Sequence, residues 1–108
     1  MTRARDLADT ADKDITGTVT LDDIVLSNDM TVADDGKVIF GAGSDLQIYH
    51  DGSHSYINDT GTGNLKIGAT NLHLMNGALN EYYFAANENG GAFLYYDNAV
   101  KFATTSQV

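Results

Sequence analysis

Apolar side chains recur at a helical spacing in the first fourteen residues and at a spacing of two along most of the chain beyond them. Ala4, Leu7, Ala8 and Ala11 fall at i, i+3, i+4 and i+7 and share one narrow stripe, with Arg3, Arg5, Asp6, Asp9, Asp12 and Lys13 distributed around it. The spacing predicts a short helix over residues 1–14. A stripe of such small side chains holds a helix of this length poorly in water, so the segment is expected to serve for attachment, packing on copies of itself or on a neighbouring domain, or else to fray.

From Ile15 the period becomes that of a pleated strand. Thr16-Gly17-Thr18-Val19-Thr20-Leu21, Ile24-Val25-Leu26, Met30-Thr31-Val32 and Lys37-Val38-Ile39-Phe40 read as short β-rungs over residues 15–40, separated by Ser27-Asn28-Asp29 and Ala33-Asp34-Asp35-Gly36. Residues 41–108 read as a β-hairpin repeat module with strands predicted over 46–50, 55–58, 65–67, 72–75, 82–85, 93–96 and 100–104. Gly, Asn, Asp and Ser clusters punctuate them at roughly 8 to 12 residues, the spacing of an all-β sandwich, barrel or stacked fibre.

One unit of that module occurs twice. Leu46-Gln47-Ile48-Tyr49-His50-Asp51-Gly52-Ser53-His54-Ser55-Tyr56 aligns at an offset of 46 with Ala92-Phe93-Leu94-Tyr95-Tyr96-Asp97-Asn98-Ala99-Val100-Lys101-Phe102. In each, an apolar residue and a Tyr run into Asp-Gly or Asp-Asn, and an aromatic follows five positions after the Asp. Gly, Asn and Asp tolerate the positive φ of a two-residue hairpin turn, and Tyr with aliphatic neighbours suits a strand. Two equivalent tight hairpins are therefore expected, with Tyr49 and Tyr95, or Tyr83 and Phe93, as cross-strand pairs.

Composition narrows the function. The 108 residues make one domain with a modest core, and much of the 43% hydrophobic content is Ala and Tyr, so burial shared between chains is expected. The chain has no Cys, which excludes disulfides, thiolate metal sites and a Cys nucleophile. It also has no Pro, so nothing in the sequence blunts its strand edges against pairing across subunits. Six basic against fifteen acidic residues give a net charge of −9, which disfavours nucleic acid and anionic membrane as partners. No apolar run is long enough for membrane insertion, and Met1-Thr2-Arg3-Ala4-Arg5 leads into acidic residues, so no secretory signal is expected and synthesis is assigned to a cytoplasm.

Candidate chemistry is sparse. His50 and His54 flank one turn and would face each other across a hairpin, but a metal site needs another converging ligand. Paired aspartates lack the calcium-loop spacing and suit turns. No Gly-x-Ser-x-Gly elbow and no base oriented toward a nucleophile are present, so no enzyme activity, cofactor or metal requirement is expected. Tyr49, Tyr56, Tyr95 and Tyr96, with His50 and His54, are the candidate surface-recognition residues, since exposed tyrosines stack on sugar rings.

The run from Phe40-Gly41-Ala42-Gly43-Ser44-Asp45-Leu46-Gln47-Ile48-Tyr49-His50-Asp51-Gly52, through Ser55-Tyr56-Ile57-Asn58-Asp59 and Thr62-Gly63-Asn64-Leu65, to Leu94-Tyr95-Tyr96-Asp97-Asn98 and Lys101-Phe102-Ala103-Thr104 resembles the repeat region of tail-fibre-like structural proteins of marine tailed bacteriophages. The resemblance covers about residues 37–106 and implies an elongated fibre of β-solenoid or β-prism type, a homotrimer located in the virion tail, made in the host cytoplasm and serving architecture or host attachment. Its implied partners are further copies of itself, other virion proteins and a host-surface glycan. In such an assembly Leu46, Ile48, Leu65, Ile67, Leu72, Leu74, Phe93 and Val100 are expected to be buried between chains. A carbohydrate-binding adhesin module and a self-assembling extracellular filament are the alternative readings.

Overall fold

The structure, a computed structural model, describes residues 15–107. The predicted helix over 1–14 lies outside the described residues. Among them there are seven strands and no helix: β1 Lys37–Phe40, β2 Leu46–His50, β3 Ser55–Asp59, β4 Asn71–Met75, β5 Tyr82–Asn87, β6 Ala92–Tyr96 and β7 Ala99–Ala103. They form two antiparallel meanders, a three-stranded sheet β1-β2-β3 and a four-stranded sheet β4-β5-β6-β7. No strand of one sheet touches a strand of the other. The chain is therefore two single layers in series, 72 Å long and 32 by 27 Å across. Its radius of gyration is 20.9 Å, against about 13 Å for a compact chain of this length.

Register assigns each side chain to a face. In the first sheet Val38, Ile48 and Ile57 lie in one cross-strand row, with Phe40 and Leu46 on the same face, while Lys37, Tyr49 and Tyr56 form a row on the opposite face. In the second sheet Leu74, Phe84, Leu94 and Phe102 make one row, and His73, Ala85, Phe93 and Ala103 make the row behind it. Each sheet thus has a continuous apolar row and a second face richer in rings and amides. Among the described residues no second sheet covers the apolar rows. Ile57 is 62% exposed, Leu74 52% and Phe102 62%, and Ala85 is the only apolar residue buried among those described. Phe93 and Val100, expected beside Leu74 in one shared interior, instead stand on the ring-bearing face, Val100 opposite Tyr95.

The expected rungs before residue 37 are not paired among the described residues of the single chain. Residues 15–32 carry no strand, and Leu65 to Ile67 carry none either. Alternation prepares a segment to pair but supplies no partner, and a lone two-stranded ribbon is marginal in water. Residues 65–67 are three positions between Gly63, at φ 97°, and Gly68, too few to hold a ladder.

The repeated unit also diverges. Asp97 and Asn98 take φ 50° and 61° and make the two-residue turn between Tyr96 and Ala99, the doubly positive geometry that matches strand twist. Its counterpart spans four residues, Asp51 to His54, closing on the pair His50 and Ser55, with Gly52 at φ 92°. A bulge between Leu94 and Tyr95 adds a further shift in the second copy. Tyr56 consequently sits opposite Tyr49, whereas its counterpart Phe102 sits opposite Leu94, on the other kind of face.

Candidate functional site

The β2–β3 hairpin is built around one carboxylate. Asp51 Oδ1 accepts the backbone N–H groups of Ser53 at 2.9 Å and His54 at 2.7 Å, and Oδ2 accepts the Tyr56 hydroxyl at 2.7 Å. An Asp side chain bonding two residues ahead replaces the missing backbone pairing of the loop. The same carboxylate fixes the Tyr56 ring, which stacks on Tyr49 at 4.6 Å between centroids and 18° between planes. Lys37 Nζ lies 4.6 Å from the centroid of the Tyr49 ring, a cation–π contact. The second sheet carries a comparable strip: Tyr82 stacks on Tyr95 at 5.4 Å and 29°, and His73 meets the Tyr82 ring edge-on at 4.9 Å.

These contacts correct the expected pairs. Tyr49 meets Tyr56 and Tyr95 meets Tyr82; Tyr49 does not pair with Tyr95, and Phe93 lies opposite Ala85 rather than Tyr83. The six candidate recognition residues do not converge either. Tyr49 and Tyr56 use a ring face on one another, Tyr95 is in the other sheet, and Tyr96 is 73% exposed beside the Asp97-Asn98 turn. His50 Nδ1 is 2.9 Å from Ser55 Oγ on the face of Ile48 and Ile57, while His54 leans toward the Tyr56 ring at 6.4 Å. Sequence reasoning overlooked Lys37, which strand register places opposite Tyr49; the stack of Tyr82 on Tyr95 is a side-chain contact that register alone does not give.

The His50–Ser55 contact has the reach of a base and a nucleophile, but the adjacent carboxylate faces away. Asp51 is occupied by two amides and a phenol, so it does not orient the imidazole as a triad acid does. Among the described residues no group of three or more His, Asp or Glu side chains is arranged to hold a metal.

The electrostatics of the turn follow from its donors. The His54 N–H first, then the Tyr56 hydroxyl and the Ser53 N–H, hold the Asp51 carboxyl down from 3.8 to about 2. The Tyr56 phenol is correspondingly pushed up by its bond to Asp51. A carboxyl lowered in the folded state contributes stability that is complete above its ordinary value and drains away as pH falls through the folded one. Thermal melts at fixed protein concentration will therefore lose stability between pH 3.8 and about 2, and Asp51→Asn will be less stable near neutrality with a shallower slope across that interval. Parallel pH profiles for the two chains would remove Asp51 from the acid response.

On the reverse of the Tyr49–Tyr56 stack, Met30, Val32, Val38, Ile48 and Ile57 line an open groove of about 640 Å³ that also reaches the edges of Tyr49 and Tyr56. What this groove and the uncovered row of the second sheet offer is apolar contact. Among the described residues no helix is long and apolar enough to cross a membrane. Set against known proteins, the chain matches no family model, no curated protein and no solved structure.

Proposed function

We propose that this chain is a structural subunit of an elongated, β-rich homo-oligomeric fibre, with a trimeric tail fibre or spike of a bacteriophage virion as its setting. The observation that carries the reading is the uncovered apolar row on each single-layer sheet. A sheet buries one face against another layer in stable domains, and neither sheet has a second layer among the described residues. The chain exposes 9718 Å², whereas a compact monomer of its mass exposes about 5,800 Å². The difference is of the order that obligate interfaces bury. Copies arranged about a common axis would cover these rows, and repeated sheets in series suit a long particle. Attachment to a host surface would then be a property of the whole fibre.

The test is native mass spectrometry together with melting across a wide concentration range. A closed trimer whose melting temperature rises with concentration, or which resists dissociation until it unfolds, is the expected result. A compact monomer with concentration-independent two-state melting would sink the proposal, and an open ladder of polymers would replace the closed fibre with a filament.

A further inference from the structure

We infer that residues 15–32 are an arm that a second copy of this chain receives on the apolar face of its first sheet. The inference rests on the assembly reading and names the contact that begins it. The arm has the alternating run Thr18-Val19-Thr20-Leu21 and the aliphatic run Ile24-Val25-Leu26, yet it forms no ladder among the described residues. Its aliphatic side chains are bare, Val25 at 93% exposure. Side chains of this kind leave water only where a surface of matching shape and polarity is offered.

The turn before β1 determines where the arm goes. Asp35 N–H donates to the His50 carbonyl at 2.8 Å and Gly36 N–H to the Ala33 carbonyl at 2.9 Å. Val32 Cγ1 lies 2.7 Å from where a Cβ on Gly36 would stand, so the chain folds this tightly because residue 36 has no side chain. The turn sets Met30 and Val32 at the rim of the groove beside Val38, Ile48 and Ile57. The arm's own residues 15–29 leave from that rim and do not fill the groove, which stays open at about 640 Å³. Fifteen residues reach as far as about 50 Å when extended, well beyond a five-residue strand of about 17 Å. The free length spans to a neighbour, and the groove that a neighbour presents is the one the described residues leave open. An occupant of that groove needs aliphatic side chains, and the arm supplies them in Val19, Leu21, Ile24, Val25 and Leu26. Exchange is reciprocal: each copy gives one arm and receives one, which closes into a ring under cyclic symmetry.

Hydrogen exchange on the full chain tests this. In assembled samples the amides of residues 15–32 are expected to exchange at least tenfold more slowly than in dilute, dissociated samples. Val19→Asp with Leu21→Asp should abolish that protection and weaken association at least tenfold. Because the chain has no Cys, seating is read separately: copies carrying Val19→Cys, Leu21→Cys or Val25→Cys, each mixed with copies carrying Ile57→Cys, should give a mixed disulfide for at least one of the three. Oligomers whose arms exchange freely would overturn the arm and leave the fibre reading intact. Protection that is equal in monomer and oligomer, or the absence of any mixed disulfide, would also overturn it. Failure to assemble at any concentration would remove the fibre reading itself, and the arm with it.

Discussion

Ile48→Asp is expected to leave the chain unable to assemble, while Asn58→Asp is expected to assemble as the unaltered chain does. The two substitutions add the same charge to neighbouring strands of one sheet. Ile48 lies in the apolar row with Val38 and Ile57, whereas Asn58 pairs with Gln47 on the opposite face. Burying an Ile side chain contributes about 1.5–3 kcal/mol, and an unpaired carboxylate forced into the same interface costs several kcal/mol more. Since about 1.4 kcal/mol is a tenfold change in an equilibrium constant, one such substitution per copy carries dissociation out of the working concentration range. Sedimentation or native mass spectrometry reads the result, with circular dichroism to report whether the dissociated chain keeps its strands. Equal assembly of both variants would mean that the Ile48 row faces water.

Faces and register also determine how much could be read from the sequence. All seven strands overlap segments predicted as strands, because β-favouring runs of aliphatic and aromatic residues and the turn residues between them are local properties. Segments 15–32 and 65–67 carry comparable runs and form no strand, since pairing depends on a neighbour that local pattern does not describe. The Tyr partners failed for a related reason. Aligning Tyr49 with Tyr95 assumes that the two units keep one register, but a four-residue loop after His50 and a two-residue turn after Tyr96 set different registers. A shift of one residue exchanges the faces of a strand, so Tyr56 and Phe102 separate. The candidate recognition residues dispersed in consequence. The modest core was legible in composition, but which apolar residues share a row required the ladder.

Replacing Gly61 with Ala is expected to destabilise the assembled chain by about 1–3 kcal/mol through overpacking, and replacing Gly41 with Ala by more. The cause is the Asp45 side chain. It occupies the corner between β1, β2 and the exit of β3, where the backbone carbonyl of Asp45 also accepts Thr60 N–H at 2.7 Å. A Cβ on Gly61 would stand 2.8 Å from Asp45 Oδ1 and 2.9 Å from Asp45 Cβ, and one on Gly43 would stand 3.0 Å from Oδ1. A Cβ on Gly41 would meet Asp45 Oδ2 more closely still, and Gly41 also holds φ 92°, which L side chains rarely adopt. Three glycines that look like generic breakers in the sequence are thus required by one carboxylate, two of them in the run Gly41-Ala42-Gly43 and the third, Gly61, beyond the whole β2–β3 hairpin. Gly68 has open space around it, so Gly68→Ala is the control and should change stability little. Denaturant melts at one fixed protein concentration compare the four chains. Combining Gly61→Ala with Asp45→Ala removes the Oδ1 contact but keeps the residue 45 Cβ at 2.9 Å, so part of the Gly61 loss is expected to return, while the φ requirement of Gly41 stays in force. If Gly61→Ala and Gly68→Ala melt together, the Asp45 corner is loose enough to yield and does not fix the β1–β2 connection.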